Sequence, residues 1–396
     1  MLTELHIKNF RSIEDQSIRL APITLLYGPT ASGKSTMMYA LSIIRNFILN
    51  PNQAPDALFS LGFLNLGGID ACVFNHDTAR EITIHVSLEI DRRVGYFGIE
   101  LGKSSANIVQ GLPDIKLSGK IALPYASNQN FPVVYKGRHG DFNVTWNGLA
   151  ATAVVPATPT AQSQEEAASL AVQINSITEG VKAIDISPHR RGFFKPSYSP
   201  VPISPTPTNE DEVASLIIND PNLAPRISID LDEIFSRDFR LHTLPGTATA
   251  FFQTTDKKSR MPVYLVNDGF GVNQIVYMLA KLHRSDVRTL LIEEPEIHLH
   301  PSIVSNFART LCTTIRDDRK QCIFATHSEQ FVVAILGCIA AGLIPSDQVN
   351  CYHVSKDRRI TTYENQTISS DGHIQGGLSS FIEVEVDALK RFVSGK

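Results

Sequence analysis

Apolar residues recur along this chain with two different periods, and the changes between them divide it. LTELHIKNF (2–10) and IRLAPITLLYG (18–28) are strand-like runs rich in β-branched and apolar residues. GKSTMMYALSIIRNFIL then puts Met37, Ala40, Leu41, Ile44 and Ile48 at helical spacing. The opening therefore reads strand, glycine loop, helix. Between Glu81 and Trp146 the period shortens to two, in runs such as EITIHVSLEI and VGYFGIEL broken by Gly, Asn and Pro, which predicts an antiparallel sheet region. Residues 150–165 and 196–208 are rich in Pro, Ser, Thr and Ala and read as surface loops bracketing a helix near 165–178. After Arg260 helix and strand alternate again: QIVYMLAKLH as helix, RTLLIEE as strand, SIVSNFARTLCTTI as helix, QCIFATH as strand, EQFVVAILGCIAAGL as helix. There is no internal repeat and no sustained heptad. The pattern gives an α/β architecture in three consecutive segments: 1–150 with the glycine loop and antiparallel region, 151–260 as an insertion with helices and Pro-rich loops, and 261–396 as the returning α/β part.

Composition sharpens the class more than the mechanism. With 396 residues, 43% hydrophobic and 19% charged, the chain can build a sizeable core. The 40 acidic residues slightly outnumber the 36 basic ones, so no global positive field draws the protein to nucleic acid, and any DNA contact needs a local patch. Cys72, Cys312, Cys322, Cys338 and Cys351 are odd in number, lack CxxC spacing and mostly sit in apolar runs, which predicts small buried hydrophobes in a reducing cytoplasm. MLTELHIKNFRS carries no apolar signal segment, and no stretch approaches the ~20 apolar residues of a membrane helix, so neither export nor a membrane partner is expected.

The chemistry concentrates in a few short motifs. GPTASGKST, from Gly28 through Pro29, Thr30, Ala31, Ser32, Gly33, Lys34 and Ser35 to Thr36, satisfies G-x-x-x-x-G-K-[ST] between an apolar strand and an amphipathic helix. Backbone N–H groups of such a turn cradle phosphates, the lysine reaches the β- and γ-phosphates, and the serine can ligate Mg²⁺. LLIEEPEIHLHP (290–301) supplies an apolar strand ending in two carboxylates. On that reading Glu293 holds the metal and Glu294 orients the attacking water. A zinc site built from His298 and His300 is the rival, but residues two apart do not share a helix face, and no third soft ligand has suitable spacing. CIFATHS (322–328) delivers His327 to the end of a second buried-type strand, where ligands sit in open α/β sheets. NDGFGVNQ (267–274) is a glycine-bearing turn opening a helix, either an anion site or an ordinary cap. DISPHRRGFFKPSY (185–198) mixes His189, Arg190, Arg191 and Lys195 with Phe193, Phe194 and Tyr198. It is a candidate nucleic-acid or partner contact, with a loop packed beside the nucleotide or at a subunit contact as the alternative.

These pieces in this order resemble the ABC-type P-loop ATPase heads of the RecF, Rad50 and SMC group, and most closely the short ATPases akin to the ATPase half of OLD-family nucleases. FRS after LHIKNF, EEPEIHLHP as the extended Walker B and D-loop, and ATHS as the H-loop carry the resemblance. It implies ATP and Mg²⁺ as cofactors, Glu294 as catalytic base and His327 as switch histidine. It also implies a signature motif at Asp268, Gly269, Phe270 and Gly271 that completes the site of a partner subunit in a homodimer or higher homo-oligomer. NDGFGVNQ lacks the serine of the usual signature, no glutamine of the Q-loop can be assigned, and there is no long coiled coil or CxxC hook. Nor does the tail after Ile344 carry the clustered acidic residues of an OLD-type nuclease. The expected function is thus an ATPase regulating a separate effector, such as a nuclease, in phage defence or DNA maintenance. A DNA-repair ATPase acting directly on DNA and an ATP-gated scaffold with little turnover are the alternatives.

Overall fold

The structure is a computed structural model that describes residues 1–126, 129–155, 159–375 and 377–378. Part of the stretch 150–165 and the end of the tail after Ile344, residue 376 and residues 379–396, therefore lie outside the described residues. In chain order the chain forms β1 (Leu2–Phe10), β2 (Ile13–Arg19), β3 (Ile23–Tyr27), α1 (Lys34–Leu49), α2 (Ile69–Cys72), β4 (Ile82–Ile90), β5 (Arg93–Leu101), β6 (Ser105–Leu112) and β7 (Ile115–Ala122). There follow β8 (Phe131–Gly137), β9 (Gly140–Trp146), β10 (Ala151–Val154), α3 (Ala161–Lys182), β11 (Ile184–Ser187), α4 (Glu210–Asn219) and α5 (Leu223–Phe235). The remainder is β12 (Arg237–Thr243), β13 (Ala250–Asp256), β14 (Pro262–Tyr264), α6 (Phe270–Leu282), β15 (Thr289–Glu293), α7 (Pro301–Asp317), β16 (Gln321–Thr326), α8 (Glu329–Ala340), β17 (Val349–Asp357) and β18 (Ile360–Gln366).

Two compact units share the chain. The first holds Met1–Leu20, Thr36–Ile184 and Asp357–Thr362; the second holds Ala21–Ser35, Asp185–Lys356 and the described residues from Tyr363 on. This interleaving differs from three consecutive segments. Residues 151–260 do not form a body of their own, because α3 packs on strands of the first unit while α4 and α5 pack on α6 and α7 of the second.

In the first unit, β2-β1-β4-β5-β6-β7 pair antiparallel throughout, and β10-β9-β8 form a smaller antiparallel sheet. Alternating buried and exposed positions on β7 and β9 are the period-two signal in physical form, one face dry and one wet. Helix α3, longer than the expected 165–178, starts where Thr160 and Ser163 cap one another, and it buries Leu170, Ile174, Ile177 and Val181 at helical spacing. Its backbone also closes a buried polar relay: Trp146 Nε1 donates to Gln110 Oε1 (2.8 Å), and Gln110 Nε2 donates to the Ile174 carbonyl (2.6 Å).

The second unit is built on the strand order β11-β15-β16-β3-β17-β18, in which β15, β16, β3 and β17 run parallel. Every residue of β3, β15 and β16 is buried, so these strands read as continuous apolar runs rather than alternations. The run 18–28 is two strands. Pro22, which has no amide to give a ladder, separates β2 from β3, and its carbonyl instead accepts the Cys322 N–H at 2.8 Å. The expected surface loop 196–208 is tied down in part: Tyr198 is 2% exposed, Tyr277 Oη donates to the Thr208 carbonyl (2.9 Å), and the Lys281 ammonium donates to that of Pro207. Lys281 in turn pairs with Asp185 at 3.2 Å, and Arg284 pairs with the same carboxylate at 2.8 Å, all three groups buried. Strands β12–β14 had no clear signal in sequence, since RDFRLHT alternates poorly and β14 has only three residues. All five cysteines are free and buried, as expected. Among the described residues no helix is long and apolar enough to cross a membrane.

Candidate nucleotide-binding site

The glycine loop leaves the buried strand β3 at Tyr27 and enters α1 at Lys34. Gly28 (φ +148°) and Gly33 (φ +106°) take conformations that side-chain-bearing residues rarely adopt. A Cβ at Gly28 would lie 2.2 Å from the Val354 carbonyl oxygen of β17, so nothing larger fits. Between them Pro29, Thr30 and Ala31 are exposed and Ser32 is buried; Ala31 also has positive φ (+64°). Tyr363 Oη braces the turn by donating to the Gly33 carbonyl (2.8 Å). Lys34 is 8% exposed, and its ammonium donates to the carbonyls of Gly28 (2.8 Å) and Pro29 (2.7 Å), holding the cation over the loop. Burial lowers its pKa, and Glu294 and Glu296 pull it back up. The first turn of α1 has no acidic residue, so the positive end of the helix is left for an anion. Ser35 and the buried Thr36 follow on that turn; the boundary between the units falls after Ser35.

The carboxylates arrive on β15. Parallel register sets Glu293 beside Ala325 of β16, which in turn stands beside Leu26 of β3, so the strands end together. Glu293 is 3% exposed. At Glu294 the chain turns through positive φ (+48°), its N–H donating to the Ala325 carbonyl (2.8 Å), and the side chain emerges 30% exposed. His327, just past β16, lies with Nδ1 3.4 Å from Glu294 Oε1. Lys34, Glu294 and His327, expected from three separate motifs, therefore gather at one end of the parallel sheet.

Two further residues join them: Glu296, to which the motifs gave no role, and His189, named only as part of the basic loop 185–198. Glu296 accepts from Thr326 Oγ1 (2.6 Å), and Thr326 Oγ1 also takes the Ser328 N–H (2.9 Å), so the carboxyl links the two strand-end loops. Burial, with a smaller contribution from Glu294, pushes its pKa up to about 7, against the lowering influence of Thr326, its own backbone and Lys34. His189 stands after β11, next in the sheet to β15, with Nδ1 3.3 Å from Glu293 Oε2. That bond raises its pKa despite partial burial. No glutamine occupies this place.

The helix α6 backs the carboxylate loop. Gln274 Nε2 donates to the Glu294 carbonyl (3.4 Å), and a Cβ at Gly271 would meet the His298 carbonyl oxygen at 2.7 Å. Of the expected signature residues, Asp268 is not free for a ligand. It is 8% exposed, bonded by Arg237 Nη1 (2.8 Å) and Thr254 Oγ1. Phe270 packs between Phe194 and His298. Gly269, by contrast, faces open space. His298 stacks edge-on against Phe270 while His300 caps α7 through Ser302, so the two histidines of the zinc alternative serve different neighbours. In 185–198, Phe193 and Tyr198 are 1% and 2% exposed in the core and cannot stack on bases, and Lys195 is held by Asp211 at 2.6 Å. Exposed Arg190, half-buried Arg191 and exposed Phe194 remain at the surface.

ATP and a hard divalent cation fit this donor set: a glycine turn at a helix start, a buried ammonium, a serine hydroxyl and a buried carboxylate are oxygen- and phosphate-directed groups. Comparison with known proteins places the chain in a family and a fold. A family model described as "AAA domain, putative AbiEii toxin, Type IV TA system" matches residues 23–334. Over 357 residues the chain is 24% identical to an OLD nuclease of Thermus scotoductus, covering 84% of this chain and 60% of that one; the chain thus spans about 60% of that relative's length. The structure of an SMC head bound to the C-winged helix domain of ScpA aligns with TM-score 0.50 at 11% identity, over 93% of this chain and 98% of that one. An SMC head domain from Thermotoga maritima gives 0.46 at 12% identity, over 93% and 99%. The fold is that of an SMC head domain.

Proposed function

This chain belongs to the AAA-domain family whose model spans residues 23–334, and from that premise we propose that it hydrolyses ATP in a Mg²⁺-dependent cycle that closes a dimer of heads and thereby controls a separate effector. The observation that carries the reading is the convergence of Lys34, Glu294 and His327 at one sheet end. In it the amides of the 28–33 turn and Lys34 hold the β- and γ-phosphates, with Thr36 on the same turn of α1. Ser35 and Glu293 hold the cation, which supplies charge neutralisation at the phosphates. Glu294 orients a water and accepts its proton, and His327 donates to the terminal phosphate. The open space at Gly269 supports a signature that meets a second protomer's phosphate.

The effector reading draws on the OLD relative, which is a nuclease, and on the SMC head solved with a bound partner domain. A nuclease acting in phage defence or DNA maintenance is the effector proposed. Direct DNA binding ranks below it, because two of the three rings and Lys195 of the basic loop are already occupied. The protomer pairing is tested by sedimentation of Glu294→Gln protein with ATP: a nucleotide-dependent dimer is expected, and its loss in Gly269→Trp. A Gly269→Trp protein that dimerises and hydrolyses ATP normally contradicts the shared site.

A further inference from the structure

The contact between His189 and Glu293 joins residues 104 apart in sequence, and its geometry suits more than an ion pair. Two ligands at right angles on one ion, each bonded at ~2.1 Å, stand ~3 Å apart. Nδ1 of His189 and Oε2 of Glu293 are separated by 3.3 Å. The segment that carries His189 is also anchored on both sides. Before it, β11 lies in the sheet next to β15. After it, the Asn273 side chain, on the first turn of α6, clamps Phe193, taking its N–H (2.6 Å) and donating to its carbonyl (2.7 Å). Asn273 is itself 3% exposed, so the clamp is part of the core. The ring remains 49% exposed, open to an ion arriving with the nucleotide, whereas Glu293 is 3% exposed.

We propose that His189 contributes a nitrogen donor to the divalent-cation position at Glu293, so that this site, while it accepts Mg²⁺, gains affinity for a transition ion such as Mn²⁺ relative to Mg²⁺. The inference rests on Glu293 standing at the metal side of the nucleotide site. The chemistry follows from ligand type. Carboxylate, hydroxyl and phosphate oxygens serve Mg²⁺ and Mn²⁺ alike, but an imidazole nitrogen favours the transition ion. Preorganisation by β11 and Asn273 spares the cost of ordering the loop when the ion binds.

The test uses the full chain with a non-hydrolysable ATP analogue and Mn²⁺ followed by electron paramagnetic resonance. Wild-type protein should bind Mn²⁺ with the analogue, and pulsed spectra should show coupling to an imidazole ¹⁴N. Mg²⁺ should displace the Mn²⁺ only at a large excess. His189→Ala should lose the ¹⁴N signal and about tenfold of the Mn²⁺-over-Mg²⁺ preference, the scale on which changes around a metal site act. His189→Gln, which restores an oxygen donor, should bind Mg²⁺ without regaining the preference. Mn²⁺ bound by wild-type protein with no ¹⁴N coupling, or an unchanged preference in His189→Ala, overturns the proposal and leaves His189 as an ion-pair partner. If wild-type protein binds the analogue with neither ion, the nucleotide-site reading falls and this proposal falls with it.

Discussion

The two units build sheets on opposite principles. In the antiparallel unit, β7 and β9 alternate between core and solvent, and the charged side chains of its surface pair there, as Lys103 does with Asp70 at 2.9 Å, the two 55% and 63% exposed. In the parallel unit, β3, β15 and β16 are buried throughout, and charge sits inside, as in the Asp185–Lys281–Arg284 cluster. A strand buried on both faces can present chemistry only where it ends, and the glycine loop, both carboxylates and His327 all lie at or just past strand ends of the second unit. The same contrast decides where a change of charge is costly.

The largest effect is expected at the buried cluster. Asp185→Ala removes the carboxylate that two buried cations share, leaving Lys281 without it while Arg284 keeps Asp286 (2.6 Å), and should destabilise the protein by about 3 kcal/mol. Asp70→Ala, in the exposed pair of the other unit, should cost no more than about 1 kcal/mol. Chemical denaturation of the two variants checks both, and equal losses would break the comparison. Next, Glu294→Gln keeps the side chain's shape and removes the base. ATP binding should persist while turnover falls by ~10²-fold or more, measured as phosphate release under saturating nucleotide. A Glu293→Gln variant that loses hydrolysis far more than metal affinity would instead reverse the two roles.

A smaller effect follows from Glu296. Its carboxyl keeps a proton in the folded protein up to about pH 7, whereas the unfolded chain releases it near the ordinary carboxylate value. Between those limits the unfolded state holds fewer protons, so stability falls as pH rises through about 4.5 to 7 and is level in this respect above that window. Glu296→Gln should remove a slope on the order of 3 kcal/mol across it, read from melting curves at stepped pH. A variant with the wild-type slope would show that the carboxyl titrates elsewhere.

What the sequence revealed follows from how far apart the interacting residues are. The glycine loop, the EE strand and the ATHS strand were legible because each needs contiguous residues in a fixed order, and the long apolar runs marked their strands. His189 carried no such mark: β11 has four residues, and the partner that gives the histidine its meaning lies 104 positions away. Glu296 was visible as a third carboxylate, but its link to Thr326 exists only once β15 and β16 pair. Asp268, expected as part of a signature motif, is instead claimed by Arg237 and Thr254. The Pro-rich stretch 196–208 looked unattached because its anchors, Tyr277 and Lys281, lie on α6.

The central claim is that the strand ends of the parallel sheet bind nucleotide through Lys34. Titration of a fluorescent ATP analogue into wild-type and Lys34→Ala protein, with melting curves to establish that both are folded, tests it most directly. Saturable binding by the wild type and a loss of about 10²-fold in the folded variant are predicted, the scale of losing charge-assisted bonds worth about 3 kcal/mol. Equal affinity in the two proteins would contradict it.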